Sequence, residues 1–550
     1  MSRNLTALAA RQSSLGEPTA VELLAQAVRE RGAVVADDVR DVAARTGLPE
    51  ATVHGIATFY DDLREPRGAL DVRVCTGTAC FAARGGRHVA ELSDGLGLAL
   101  GERSEDGSVS LGETVCLGFC HCSPAVRVGD VVDAGPQAVA RVLTGEPRQA
   151  AEPQAQSLLA EPVLTRAGDW SGLRRVLAEL TPDQLVEEVA QAGVLGRGGA
   201  AFPAAVKWRL TRQAPAAERF VVCNGDEGDA GSYIDKQLME RSPDLLLEGM
   251  ALAAYAIGAR HGVVLVRSEY PRSRPALEEA AERARQRGLL GPDALGDGIP
   301  FDVIVVDGAG SYVVGEETAL LACLQGLRGV VSSRPPYPAQ SGVRGLPTLV
   351  HNVETLCNIP FIAARGAQAY RELSPGATPG SKLVCFNERF ARPGVFEIPF
   401  GTSVRELCED VAGGLRDGAR LKAVQIGGPL GGILPASLLD TPFDLEPLAA
   451  VGCMVGHGSL VGFDEETGMR DLARHLLGFG AQESCGKCFP CRVGLTRAHE
   501  MVQGDAAVDR ARLEELLEAL ELGSLCAHGG GMPAPIRSLI AHFPDELGLA

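Results

Sequence analysis

The sequence predicts a multidomain α/β protein that begins and ends in helices. Three observations predict it. The chain has 550 residues, too many for one core, so three or four domains are expected. Hydrophobic residues make up 45% and charged residues 22%, the balance of a globular protein. The apolar period changes along the chain from helical to alternating and back to helical.

Residues 19 to 64 carry apolar stripes at i, i+3, i+4 spacing in "TAVELLAQAVRERG" and "ADDVRDVAARTGLPEATVHGIATFYDDL", which predicts helices. "ALDVRVC" then alternates like a strand, and a helical "GRHVAELSDGLGL" and a hairpin "AVRVGDVVDAG" close a small α/β unit near 146. "EPRQAAEPQAQSLLAEP" has a linker composition. From 165 to 375, "RFVVC", "GVVLV" and "FDVIVV" alternate with helical stretches, the signature of a mostly parallel sheet. From 380 to 455, "SKLVCF", "GVFEIPF" and "KAVQIGGPLGG" surround one short helix, "SVRELCEDVAGGL". The remainder reads as helical.

Composition excludes several functions. A net charge of −18 argues against nucleic-acid binding, which needs a basic face. The start, "MSRNLTALAARQSSLGEP", lacks the apolar core of a signal peptide. The longest apolar stretch, Gly249 to Val266, is interrupted by Arg260 and His261, so no membrane insertion is expected. A cytoplasmic protein follows, and in a reducing compartment its fifteen cysteines read as metal ligands or buried thiols.

"SCGKCFPCR" places Cys485, Cys488 and Cys491 on one tight loop. A 4Fe-4S cluster takes four thiolates, three of them often from such a loop. The one cysteine downstream is Cys526, in "GSLCAHGGG". Two helical stretches between them, joined at Gly504-Asp505, form a hairpin that returns the chain to its start. Closing that loop costs about 3 kcal/mol plus a constant, against about 10 kcal/mol or more from a structural metal centre. Zinc is the alternative, although it more often uses separated C-x2-C knuckles. A second set, Cys75-x4-Cys80 and Cys116-x3-Cys120, suits a 2Fe-2S rhomb with one pair on each iron. Thr76, Gly77 and Thr78 offer donors near its sulfurs. Cys122 is left over as a spare thiol, and His121 finds no second histidine for a Rieske-like set.

"GRGGAAFPAAVKW" spells G-x-G-x-x-A, but a helical stretch precedes it where a dinucleotide fingerprint needs a strand. The run still lets a flat or phosphorylated ligand come close, and Lys207 could supply a cation. "FDVIVVDGAGSYVVGEETALLACL" has the better layout, but Glu316 and Glu317 open its helix and repel phosphate, so it is expected to face a ring or ribose. In "CNGDEGDAG", Asp226, Glu227 and Asp229 cluster after a strand, with a metal site as the rival reading.

With these motifs assembled, the chain resembles the NADH-oxidising flavoprotein of respiratory complex I, fused behind a copy of complex I's small 2Fe-2S subunit. The resemblance rests on "GRGGAAFP…KW", "CNGDEGD", "YVVGEETALL", "RPPYPAQSG", "HNVETL" and "SCGKCFPCR…SLCAHGGG", and on "CTGTAC…CLGFC" and "VHGIATFY" at the N-terminus. It implies an N-terminal helical bundle (1–65), a thioredoxin-like 2Fe-2S domain (66–147), a linker (148–165), and a Rossmann-like FMN- and NAD(H)-binding domain (166–375). A ubiquitin-like β-grasp domain of the SLBB type (376–455) and a helical 4Fe-4S domain (456–550) complete it. FMN is then expected on Gly196, Arg197, Gly198, Gly199, Lys207, Asn224, Asp226, Gly315, Glu316, Asn352 and Thr355. NAD(H) is expected near Phe202, Asp229, Glu317, Arg334 and Tyr337, and Glu227, Tyr312 and His351 complete the cofactor-binding set. Val314, Asp229, His351, Arg334 and Tyr337 depart from the residues usual in complex I.

The fusion and the "CNGDEGD" wording look more like the diaphorase subunit of soluble NAD-linked formate dehydrogenases and NAD-reducing hydrogenases. No molybdopterin-type or nickel-site motif is found, so that chemistry is expected on a large catalytic partner carrying further iron–sulfur clusters. Nicotinamide exchanges a hydride and a cluster one electron, which requires a flavin between them. No side chain is assigned an acid–base role in the hydride step. A zinc-stapled interaction scaffold is the alternative from another class.

Overall fold

The computed structural model describes residues 18–504 and 506–549. Most of the N-terminal stretch read against a signal peptide, and the hairpin residue Asp505, lie outside the described residues.

Three sheets organise the chain. The first, in order β2-β3-β1-β4-β5, joins β1 (Leu70–Cys75), β2 (Glu102–Arg103), β3 (Val109–Thr114), β4 (Ala125–Val128) and β5 (Val131–Ala134). β1 runs parallel to β3 and antiparallel to β4. It forms the thioredoxin-like module, and β4–β5 is the expected hairpin. The second sheet, β10-β7-β8-β9, is wholly parallel and comprises β7 (Phe220–Gly225), β8 (His261–Val266), β9 (Asp302–Asp307) and β10 (Thr348–Asn352).

Both faces of this second sheet are covered, which is why its strands read as near-continuous apolar runs. Val221, Cys223, Val264 and Val266 face the helices Pro243–Ile257 and Val353–Arg365. Phe220, Val222, Val263 and Leu265 face Leu24, Val53, Ile56 and Tyr60 of the N-terminal helices. The expected bundle at 1–65 is therefore not a separate body. Its apolar stripe is spent on the central sheet, and Tyr60 Oη donates to Leu327 O at 2.6 Å.

The third sheet runs β14-β13-β15-β11-β12-β6. It contains β11 (Ser381–Phe386), β12 (Gly394–Pro399), β13 (Leu421–Ile426), β14 (Ile433–Pro435) and β15 (Ser459–Asp464). Two expected boundaries move. β15 pairs with both β13 and β11, so this unit ends at Asp464 and not at 455. β6 (Gln156–Ser157), inside the expected linker, adds to β12 as a parallel edge strand. Glu397 fixes the segment that follows by accepting from the backbone N–H groups of Val163 (2.9 Å), Leu164 (3.0 Å) and Thr165 (3.2 Å). The expected short helix is a single α turn, Val404–Glu406, continued as a π-helix over Leu407–Val411.

The C-terminal helices pack on this sheet. Met469–Gln482 buries Leu472, Ala473, Leu476 and Leu477 at helical spacing, each large side chain stabilising by about 1.5–3 kcal/mol. They meet Ala423, Ile433, Val461 and Phe463. The expected αα-hairpin is formed by Phe489–Val502 and Arg510–Gly523. Among the described residues no helix is long and apolar enough to cross a membrane.

Candidate functional site

Ligands of open parallel sheets bind beyond the carboxyl ends of the strands. Here those ends carry Asn224 and Asp226 (β7), the 308–317 loop (β9) and Asn352 (β10). The glycine-rich loop closes over them. Thr181 and Gln184 form the capping box that starts the helix Pro182–Ala192, and Gly193 at φ +73° ends it. A helix, not a strand, thus leads into the loop, as the sequence indicated. Arg197 N donates to Thr355 Oγ1 at 2.9 Å. A Cβ on Gly198 would lie 3.0 Å from Asn352 Cβ, a close approach that favours glycine. The Arg197 guanidinium turns away to Tyr370 Oη (2.9 Å), Pro379 O (3.0 Å) and the Phe400 ring, so this residue offers the site its backbone. A cavity of about 190 Å³ opens beside the loop, lined by Gly196, Gly199, Lys382 and Val455 among others.

The repulsion expected from Glu316 and Glu317 is offset within the fold. Glu316 caps its own helix, accepting from Thr318 N (2.9 Å) and Ala319 N (3.1 Å). Glu317 lies between Lys207 Nζ (2.9 Å) and Arg334 Nη1 (2.8 Å). Asn224 Nδ2 donates to Gly315 O at 2.8 Å, and Tyr312 Oη to Asp229 Oδ1 at 2.8 Å. Phe202 and Tyr337 are exposed aromatics. Asp226 Oδ2 is buried without a hydrogen bond, whereas Glu316 Oε1 pairs with Arg334 Nη2 at 3.1 Å. An orphaned carboxyl oxygen beside a glycine loop suits a flat, polar-edged ligand such as a flavin.

Two residues of the expected cofactor set are committed elsewhere. His351 accepts the Trp208 indole N–H at 2.9 Å, and burial, with Lys207 nearby, pushes its imidazole down to about 3. Strand alternation turns it into the core while Asn352 caps the next helix. Glu227 accepts from Ile234 N (2.6 Å), Asp235 N (3.0 Å) and Lys236 N (3.0 Å), at the start of the helix Ile234–Arg241. With Asp229 held by Tyr312, the three carboxylates of "CNGDEGD" diverge, and the metal reading fails for them.

His457, Asp235 and Glu483 were not legible in the sequence. His457 Nε2 lies 2.9 Å from Asp235 Oδ2, whose carboxylate also accepts from Asn352 Nδ2 at 2.6 Å. Glu227, Asp235 and His457 bring ligand atoms within 4.8 Å of one another. Burial opposes charge on His457, but Asp235 and Glu227 overcome it and hold the imidazole up at about 10. A raised histidine stabilises fully below its unfolded value near 6.5 and loses that contribution as pH rises through about 10. His457→Gln should therefore lower stability most below pH 6.5, with the gap to wild type closing by about pH 10 in denaturant melts.

Both cysteine sets converge. Cys75, Cys80, Cys116 and Cys120 are buried and unpaired as disulfides, with the Cys116 and Cys120 sulfurs 3.5 Å apart. Against burial, the Cys120 thiol, Arg267 and the Gly118 N–H bring Cys116 down to about 7. Thr76 donates to Thr114 O and Thr78 lies against His475, so neither hydroxyl serves the sulfurs. His121 lies against Ala151 O, and Cys122 is half-buried outside the set. The pair sits on the central domain: Cys116 Sγ is 3.8 Å from Ser232 O, and a Cβ on Gly118 (φ +70°) would clash with Lys236 and Tyr270. At the other end, Cys491 feels the charges of Cys485, Cys488 and Cys526, and burial pushes it up to about 12. Cys485 packs with Val313 and Ala319, and Cys526 and Tyr312 border the same group. Four convergent thiols in each place fit an iron–sulfur cluster.

A strand-end cradle between two thiol quartets defines an iron–sulfur flavoprotein. Family models agree in chain order. A thioredoxin-like [2Fe-2S] ferredoxin matches residues 8–144, the Nuo51 FMN-binding domain 189–361, and the NADH-ubiquinone oxidoreductase-F iron-sulfur binding region 471–549. The NADH-quinone oxidoreductase-F protein of Salmonella typhimurium is 43% identical over 385 residues, 68% of this chain and 86% of that protein. NADP-reducing hydrogenase subunit HndC of Solidesulfovibrio fructosivorans is 41% identical over 383 residues, 68% of this chain and 78% of its own length. A crystal structure of an NAD+-reducing [NiFe]-hydrogenase in the H2-reduced state aligns with TM-score 0.86 at 31% identity, covering 97% of this chain and 94% of that one. The chain belongs to the NADH-quinone oxidoreductase-F family, and its domains bind FMN, NADH, a 2Fe-2S and a 4Fe-4S cluster.

Proposed function

We propose that this flavin iron–sulfur NADH dehydrogenase is the diaphorase subunit of a cytoplasmic NAD-dependent formate dehydrogenase, serving a large catalytic subunit with further iron–sulfur clusters. The hydrogenase and complex I relatives support those partners equally, and the formate reading leans on the fused layout and the "CNGDEGD" wording. We read the central unit as Rossmann-like and the third-sheet unit as a ubiquitin-like β-grasp. The FMN set is Gly196, Arg197, Gly198, Gly199, Lys207, Asn224, Asp226, Gly315, Glu316, Asn352 and Thr355, with NAD(H) near Phe202, Asp229, Glu317, Arg334 and Tyr337. Bound flavin supplies the conversion between hydride and single-electron transfer. The chain's part is position and field: Lys207, Arg334 and Glu317 set the charge at the cradle, and the glycine loop excludes water from one side.

One observation supports electron transfer between the cradle and the 4Fe-4S site, whichever the partner. The Tyr312 side chain bonds Asp229 in the cradle and packs edge-on against Phe479 (5.0 Å) and beside His528 (5.4 Å), two residues past Cys526. Cradle and 4Fe-4S ligands are thus in direct packing contact. The iron–sulfur and flavin domains set the zinc-scaffold alternative aside.

Electrons would leave by the face around the 4Fe-4S ligands, where Phe489 and Leu522 are 69% and 78% exposed. Phe489→Asp with Leu522→Asp should weaken partner association by about tenfold or more while leaving NADH-driven bleaching of the isolated chain intact. Metal analysis of the co-purified complex decides the partner. Molybdenum or tungsten supports formate, nickel supports hydrogen, and a membrane arm supports complex I.

A further inference from the structure

Adjacent residues Asp226 and Glu227 live in opposite environments. Glu227 receives three backbone N–H groups, the Ser232 hydroxyl at 2.7 Å and the Tyr270 hydroxyl at 3.2 Å. Five donors suit a carboxylate. Asp226 has no such support. Its backbone N–H goes to Asn224 Oδ1 at 3.1 Å, but its Oδ2 is buried without a partner. Two glycines lie beside it, with a Cβ on Gly308 placed 3.8 Å from Oδ1 and one on Gly315 3.6 Å from Oδ2, and Gly308 gives its N–H to Val266 O at 2.7 Å.

The charged and titratable groups that face Asp226 do not compensate it. From the loop after β8 come Arg267 and Glu269. Arg267 gives two donors to Glu269, at 3.1 and 2.8 Å, and a third to Glu227 O. From the segment before the 4Fe-4S loop comes Glu483, another negative charge. From the N-terminal helices comes the Tyr60 phenol, and from the helix Glu317–Leu324 the Cys323 thiol. Burial keeps both neutral. The cation is already shared and the neighbouring carboxylates repel, so ionising Asp226 is costly.

We propose that Asp226 keeps its proton in the resting protein and meets the bound flavin as a neutral hydrogen-bond donor. This rests on the reading of these loops as the flavin cradle. Burial, with Glu269 and Glu483 adding to it and Arg267 opposing, raises the Asp226 carboxyl to about 8, in keeping with the geometry. Environment can hold adjacent carboxyls in different protonation states. An O–H donor satisfies the orphaned position against an uncharged ligand acceptor, where a carboxylate would repel it.

The test is FMN affinity against pH, read by quenching of FMN fluorescence on the full-length, iron-loaded chain stripped of flavin. Wild type should hold a constant Kd from pH 6.5 to about 7.5 and lose about tenfold by pH 9, one unit above the carboxyl's value. Asp226→Asn, which keeps a donor at all pH values, should bind within about threefold of wild type at pH 6.5 and show no pH dependence. Its flat profile also controls for titration of FMN itself. A wild-type Kd that stays constant to pH 9 overturns the proposal, whether or not the variant folds. So does a folded Asp226→Asn that loses FMN at pH 6.5. No FMN binding at any pH would instead overturn the cradle reading beneath it.

Discussion

Cys526→Ala should yield a chain with about two irons instead of about six, a 2Fe-2S signal without the 4Fe-4S signal, and no NADH-driven reduction of a protein acceptor. Cys485, Cys488 and Cys491 share one loop, but Cys526 reaches them only across the hairpin Phe489–Val502 and Arg510–Gly523. It precedes the short helix Ala527–Gly531 in extended conformation, so its sulfur's position depends on the hairpin and not on local sequence. A structural centre can contribute about 10 kcal/mol to the fold that holds it. The apolar layer of Leu472, Leu476, Leu495 and Leu517 lies beneath the cluster and stays buried, so the helices should remain while the 484–531 region loosens. The 2Fe-2S ligands belong to a separate sheet, and the glycine loop is held against Thr355 and Asn352, outside the 484–531 region, even though Tyr312 touches His528. FMN binding and hydride transfer from NADH should therefore survive. Iron analysis with EPR of the NADH-reduced protein checks this, and retention of about six irons would refute the ligand assignment.

The chemistry was legible because it is local. Three cysteines at x2 spacing, pairs at x4 and x3, and glycines after strands announce themselves within a few residues. The parallel sheet was legible from three apolar runs separated by helices. What stayed hidden depends on long-range meetings. The β6 strand is two residues in a Pro- and Gln-rich stretch, and only β12 makes it a strand. The N-terminal stripe at Leu24, Val53 and Ile56 reads equally as a bundle or as a lid on a sheet, until Phe220 and Val263 are seen beneath it. His351 and Glu227 sit in the right motifs. Pairing with Trp208 and with a helix N-terminus, neither of which a motif encodes, withdraws both from the cradle. His457 reaches Asp235 across 222 positions, and nothing in "VGHG" signals it.

Lys382→Met should be among the most damaging substitutions outside the cysteines. Lys382 and Glu354 form an ion pair in which both side chains are wholly buried. Lys382 Nζ also donates to Leu383 O and His457 O, each at 3.0 Å, and Glu354 Oε1 accepts from Leu383 N at 2.9 Å. Removing one partner strands the other charge, which costs about 3–5 kcal/mol. Glu354 lies in the first turn of the helix capped by Asn352, and Thr355 follows it, so the strain falls on the residues that meet the glycine loop. The loss should appear as amide exchange faster by at least about a hundredfold over residues 352–358 and 381–386, with weaker FMN retention. Glu354→Gln added to Lys382→Met removes the stranded charge and should restore most of the protection, because the penalty belongs to the unpaired carboxylate and not to the lost lysine. If the double variant exchanges as fast as the single one, the junction depends on packing of the lysine stem instead, and the ion pair is incidental to the cradle.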